Sequence, residues 1–430
     1  MTTQFGRSEP VTKSTFITAT AENDEPPPLL RGSVNGLIVW SFPTLTVVSM
    51  IGGAIPGLLL PHQIELLDAA NKEADLAVVL AISAFCAMVA APIAGQVSDR
   101  TRSRFGRRAP WMVIGALAAT LALVGLACAD SLVAIGIAWS LAQVAYTFVQ
   151  GPLSAVLPDR IPRRRRGTFA AAGGIALMTG LLLGSVVGSL LFGNIAAGYL
   201  FFAVTTLVAL VLFVVFNPDH SSRDMHVDRF RWTDFVQTFW VNPIEHPDFF
   251  WAFSARLLLF TGYFMVSGYQ LYLLSGYLGV DRPQEVIPVI GVIGLAGVIV
   301  SNMVAGPLSD KVGRRKPFVF GASVVMALAL ALPWVWPTLT SWFIMVAVLS
   351  LGFGMYGAID TALMSEVLPS AQSFGKDLGV INIAATLPQT ISPACAGAII
   401  GVFGYAGLFP VGIVLSLLGA FAIWPIKSVR

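Results

Sequence analysis

The chain has 430 residues, of which 56% are hydrophobic and 11% are Lys, Arg, Asp or Glu, with a formal net charge of +3. Soluble domains carry about 25% charged residues and a transmembrane helix needs roughly 20 apolar ones, so the composition describes about twelve spans and excludes an ordinary water-soluble enzyme. An outer-membrane barrel, whose strands alternate apolar and polar residues, is excluded too, and so small a charge excess gives no footing for nucleic acid.

Residues 1–33 are polar, with Glu22, Asp24 and Glu25 ahead of Pro26, Pro27 and Pro28, and read as a disordered cytosolic tail without the pattern of a cleavable signal peptide. Apolar runs then begin near Val34, Asp75, Pro110, Leu132, Gly167, Gly198, Asp248, Glu285, Pro317, Thr340, Leu378 and Tyr405. The one long polar connection between runs divides them into an N-terminal six-helix bundle over 34–216, a central cytosolic loop over 217–247 and a C-terminal six-helix bundle over 248–426. With both termini placed in the cytosol, 23 of the 26 Lys and Arg residues fall on the inner side and only Lys72 and Arg282 in outer loops, as the positive-inside rule requires. The expected fold is therefore an all-α integral membrane protein of the plasma membrane, with 12 transmembrane helices in two pseudo-symmetric bundles.

Cys86, Cys128 and Cys395 lie in apolar runs and read as small hydrophobes. His62 is assigned to an outer loop, and His220, His226 and His246 lie in or beside the central loop. There, with Asp224 and Asp228, they read as a solvated segment, and neither a metal site nor an enzyme centre follows.

The two sets of six runs repeat one another. Gly95, Ser98, Asp99 and Arg100, followed by Gly106, Arg107, Arg108 and Pro110, answer to Gly306, Ser309, Asp310 and Lys311, followed by Gly313, Arg314, Arg315 and Pro317. Gly95 and Gly306 are 211 positions apart, and Ser154, Val156, Leu157 and Pro158 match Ser365, Val367, Leu368 and Pro369 at the same offset. A duplicated six-helix unit is the construction of transporters that rock one half against the other. The pattern Gly-x-x-x-Asp-Arg/Lys followed by Gly-Arg-Arg resembles the loop motif of the major facilitator superfamily. The first copy, with four extra residues before Gly106, resembles the sucrose and glycoside cation-symporter branch, as does the stretch Gly375, Leu378, Gly379, Val380, Asn382, Pro388 and Gln389. The resemblance implies that Asp99, Arg100, Arg107 and Arg108, with Asp310, Arg314 and Arg315 of the second copy, form a conformational latch. A plain anchor of basic residues is the other reading of these loops, and Arg163 to Arg166 read as orientation and lipid contact.

The fourth run places Trp139, Gln143, Tyr146, Thr147 and Gln150 on one helical face, and the seventh does so with Arg256, Phe260, Tyr263, Ser267 and Gln270. Trp40 and Thr44 in the first run, and Ser350, Gly354, Tyr356, Gly357, Asp360 and Thr361 in the tenth, add polar or small positions. In the superfamily those four spans line the central cavity, so these residues, with Asn382 and Gln389, are the substrate-binding candidates; hydrogen bonding between helices is the alternative. Arg256 and Asp360 stand about 12 and 13 Å inside the apolar zone from the inner side and are expected to pair, since an intramembrane charge needs a partner and marks a function. Substrate binding, proton coupling through Asp360 and a structural tie all fit the pair. In the fifth run Gly180, Gly184 and Gly188 predict close helix packing.

The expected protein is a secondary transporter working by alternating access as a monomer in contact with membrane lipid. It imports a small-molecule substrate, a sugar or glycoside, using no cofactor beyond a proton or other cation gradient. An exporter of a drug-like molecule and a sensor of the same fold that does not transport are the alternatives.

Overall fold

The computed structural model describes residues 34–162, 165–223, 245–312, 315–366 and 374–426. Arg163, Arg164, Asp224, His226, Asp228 and Arg314 lie outside the described residues, and for Asp310, Thr361 and Asn382 the backbone alone is described. Among the described residues 12 helices are long and apolar enough to cross a membrane: Val34–Leu67, Lys72–Arg100, Ala109–Ala127, Leu132–Ser154, Arg166–Leu190, Ile195–Phe216, Pro247–Gly268, Pro283–Ala305, Lys316–Val335, Leu339–Asp360, Thr386–Phe403 and Tyr405–Ala422. They are numbered first to twelfth in that order. Helices are forced on such a chain because lipid offers no partner for backbone N–H and C=O groups, which must bond within their own segment.

The first helix runs further than its apolar run suggests. Pro56 and Pro61 lack the N–H that a regular helix needs, and the backbone absorbs this in a π-helical turn, Ile55–Leu59, before continuing as Leu60–Leu67. His62 and Glu65 are therefore helical and not in a loop, and His62 stacks on Phe192 with ring centroids 3.8 Å apart. Asp68 then makes the turn, accepting from the backbone N–H groups of Ala70 and Asn71 and from the Asn71 side chain at 2.9 Å. Those Asn71 hydrogen bonds hold its carboxyl below the usual range.

Within the first six helices the first packs on the fifth, the second and third on the fourth, and the third on the sixth; the last six repeat the scheme. Gln63 ties the end of the first helix to its neighbours, donating to the Leu126 carbonyl at 3.0 Å and accepting from the Tyr199 hydroxyl at 2.8 Å. The main cross contacts between the sixes are the second helix with the eleventh and the fifth with the eighth. Each is the image of the other under the repeat.

The fifth helix glycines pack as their spacing predicts. A Cβ on Gly184 would collide with the Met50 backbone, one on Gly180 with the Thr46 carbonyl, and on the facing helix one on Gly53 with the Leu181 backbone. The first and fifth helices thus touch main chain to main chain, the close approach that small residues permit in membranes. Gly184→Val is expected to cost about 1 to 3 kcal/mol by overpacking and to lower the thermal midpoint of the purified protein. Gly174→Ala in the same helix, where an added Cβ meets nothing within 4 Å, is expected to leave the midpoint unchanged or raise it.

Candidate functional site

The seventh helix carries Arg256 and the tenth carries Asp360, and the two meet with Nη1 and Oδ2 3.0 Å apart. Their side chains are 13% and 5% exposed, so both charges are withdrawn from solvent and hold one another. Tyr356, one turn before Asp360, hydrogen-bonds to the same carboxylate. Phe260, one turn after Arg256, lies 5.6 Å from the guanidinium. It also packs edge-on against Tyr356 at 5.5 Å and Phe353 at 5.6 Å, and Tyr263 covers Phe353 at 4.9 Å. Arg256 Nε is buried with no hydrogen-bond partner among the described residues. The cluster therefore offers a donor, a carboxylate that can take a proton and an aromatic shelf.

The other predicted residues are placed less uniformly. Ser267 and Gln270 are half-buried, as is Gln143, while Gln150 and Gln389 are exposed. Trp139 is 1% exposed in the main apolar core, its Nε1 without a hydrogen-bond partner among the described residues. The Tyr146 hydroxyl donates to the Val48 carbonyl of the first helix, and the Thr44 hydroxyl donates to the Trp40 carbonyl at 2.8 Å. The Trp40 ring stacks on Phe216 of the sixth helix with centroids 4.4 Å apart. The interhelical reading thus describes Trp40 and Tyr146 in this conformation.

At the helix ends that carry the Arg-rich loops, here called the basic face, Arg108 is the hub. It pairs with Asp99 at 2.6 Å and Asp159 at 3.0 Å and donates to the Ser98 hydroxyl at 3.0 Å, while Arg107 takes the other Asp159 oxygen at 2.7 Å. Arg100 donates to Gln96 at 3.2 Å. Asp159 was not among the sequence candidates; its signal was a lone acid among the basic residues that follow the fourth helix. The next residue, Arg160, donates to the carbonyls of Asn217 and Pro218, both at 3.1 Å. Burial pulls its guanidinium below the usual range, opposed by Asp219 and Asp159. Gly106 takes a φ of 88°, with Asp219 where a Cβ would stand, so this motif position admits glycine for two reasons. The extra loop residues are stitched to the chain beyond the sixth helix, Ser222 donating to the Thr101 carbonyl and accepting from Ser103 N–H, both at 2.9 Å.

The opposite face is closed across the two sets of six. Tyr272 donates to the Pro61 carbonyl at 2.7 Å, and Tyr269 to the Glu73 carbonyl at 3.1 Å. The Tyr405 hydroxyl hydrogen-bonds to the Glu73 carboxylate. Lys72 pairs with Glu65 at 2.5 Å and stands 4.9 Å from the centre of the Tyr272 ring. None of these tyrosines was singled out from sequence.

Comparison with known proteins fits this architecture. Residues 41–374 match the family model described as Major Facilitator Superfamily. The chain is 25% identical over 363 residues to the class H tetracycline resistance protein of Pasteurella multocida, covering 81% of this chain and 85% of that one. It is 31% identical over 134 residues to a sucrose transport protein of Arabidopsis thaliana, a match that covers only 27% of this chain and 26% of that protein. The crystal structure of a D-xylose-proton symporter superposes with a TM-score of 0.68 at 16% identity, over 93% of this chain and 98% of that one.

Tyr272→Phe removes one buried hydrogen bond that joins the two sets of six, worth about 1 kcal/mol, and is expected to raise the population open at this face about fivefold. Spin labels on Leu67 and Arg282, in a background without the three cysteines, should then report a larger long-distance fraction than the parent.

Proposed function

The chain belongs to the major facilitator superfamily and is a multi-pass membrane transporter; from that premise we propose that it imports a sugar or glycoside together with protons by alternating access. The observation that carries the reading is the Arg256 and Asp360 pair set in an aromatic shelf. Burial works against an ionised carboxylate and a touching guanidinium works for it, so the proton occupancy of Asp360 depends on whether Arg256 stays in contact. A substrate hydroxyl that draws Arg256 away would favour protonation of Asp360, and loss of the substrate would restore the pair. A pyranose suits the cluster because its apolar C–H face can lie on Tyr263 or Phe353 while its hydroxyls meet Arg256, Asp360 and Gln143.

The basic face is assigned to the cytosol, on the distribution of Lys and Arg. The closed tyrosine ties then lie outside, and the present conformation is closed on that side. Arg107 and Arg108, paired here with Asp159 and, for Arg108, also with Asp99 inside the first six helices, exchange partners when the basic face closes. That exchange is the latch role proposed for the loop. Export of an amphipathic compound is the rival reading, favoured by the likeness to the tetracycline resistance protein.

Proteoliposomes loaded at high pH and diluted into acidic medium with radiolabelled sucrose or maltose separate these readings. Accumulation above the outside concentration that a proton uncoupler abolishes is the expected result. Asp360→Asn is expected to lose accumulation at least tenfold while keeping sugar counterflow within a few-fold. Full pH-driven accumulation by Asp360→Asn would remove that carboxylate from coupling, and absence of any sugar counterflow in the parent protein would remove the sugar.

A further inference from the structure

The third and fourth helices enclose a groove of about 790 Å³ that has no part in the central site. Its walls include Trp111, Ala118 and Leu121 on one helix and Ile137, Leu141 and Phe148 on the other. Its floor is formed where the two backbones touch, since a Cβ on Gly115 would stand 2.9 Å from the Ala145 carbonyl oxygen. The one polar side-chain atom among the lining residues, Trp111 Nε1, is turned away and donates to Thr101 at 2.6 Å. Leu121, Ile137 and Leu141 are 72%, 58% and 57% exposed along its rim, so the groove opens sideways towards lipid. From Trp111 to Gly125 it follows the third helix for about 21 Å, longer than the ~15 Å depth of one leaflet's hydrocarbon.

The groove has a charged end. Trp111 and Phe148, with ring centroids 5.5 Å apart, close it at the basic face, and the Thr101 that holds Trp111 is followed by Arg102 and Arg104. Both arginines are exposed, and neither has an ion-pair partner among the described residues, whereas Arg107 and Arg108 are committed to Asp159 and Asp99. We propose that this groove holds an acyl chain of an anionic phospholipid of the basic-face leaflet, with its phosphate resting on Arg102 and Arg104. A neutral wall accepts a chain of any lipid, and the two guanidinium groups, one of them 4.6 Å from the Phe105 ring but neither facing an acid among the described residues, select the anionic headgroup. A second copy of this chain is a poorer occupant, because a two-fold contact through the groove would set the same arginine loop against itself.

Native mass spectrometry of the full-length protein, released from nanodiscs of equal phosphatidylglycerol and phosphatidylcholine, tests this. The expected result is a monomer retaining phosphatidylglycerol at least fivefold over phosphatidylcholine. Ala118→Phe with Leu121→Trp, which fills the groove from exposed lining positions, should lose the retained lipid. Arg102→Gln with Arg104→Gln, confined to an exposed loop, should keep a retained lipid but lose the preference. Equal retention of both lipids by the parent, full retention by the groove-filled variant, an unchanged preference in the arginine variant, or a dimer that the groove-filled variant abolishes would each overturn the proposal.

Discussion

A charge inside hydrocarbon is costly unless a counter-charge meets it, and this chain places one such pair where two helices of the same six face each other. Arg256 and Asp360 are 3.0 Å apart, close enough that neither helix can turn or slide far without separating them. The pair is buried from both sides, by the Tyr356 hydroxyl on the carboxylate and the Phe260 ring beside the guanidinium. Removing one partner of such a pair leaves an uncompensated buried charge, which is why pairs of this kind can act as switches as readily as ties. In the proposed mechanism a bound substrate, or a proton, would change the balance that holds the seventh and tenth helices together.

What happens at that pair matters to the whole molecule because the two ends of the helices are held differently. At the face opposite the basic loops, tyrosine hydroxyls reach across from the last six helices to backbone and carboxylate of the first six: Tyr272 to Pro61, Tyr269 and Tyr405 to Glu73. At the basic face the ion pairs around Arg108 stay inside the first six helices. Single hydrogen bonds of about 1 kcal/mol are weak enough to be broken one by one during a rocking motion. A charged hub shared by two carboxylates costs more to break, so the proposed latch needs new partners to be within reach before the old ones are given up.

The spans were legible in the sequence because roughly 20 apolar residues in a row have one outcome in a bilayer, and eleven of the twelve observed spans begin within three residues of where those runs start, the eleventh beginning at Thr386. The Arg256 and Asp360 contact was legible for the same reason: two charges at matching depth in an apolar zone have few other partners. Side chains that spend their polar atom on a backbone carbonyl were not. The acceptor of Tyr272 is the carbonyl of Pro61, and that of Tyr146 the carbonyl of Val48, and a carbonyl carries no residue signature. Helical spacing put Trp40 on a polar face, but it cannot tell a face that borders a cavity from one that meets another helix, and Phe216 is what that ring meets. The first helix extends through the position assigned to an outer loop at His62, because a π-helical turn carries the chain past Pro56 and Pro61.

The repeat sharpens where the chemistry belongs. Tyr272 and Pro61 are 211 residues apart, the same offset that relates the loop motifs, so the tie that closes the opposite face joins equivalent positions of the two copies across their axis. In that register Arg256 answers to Leu45 and Asp360 to Val149. Val149 is fully buried in an apolar cluster of the first six helices and Leu45 packs against the same cluster. The first copy thus fills with hydrocarbon the place that the second gives to a charged pair. Duplication supplies two copies of one packing scheme, and the departure from symmetry sets them apart: at these positions the first six helices present apolar side chains and the last six carry the charged pair.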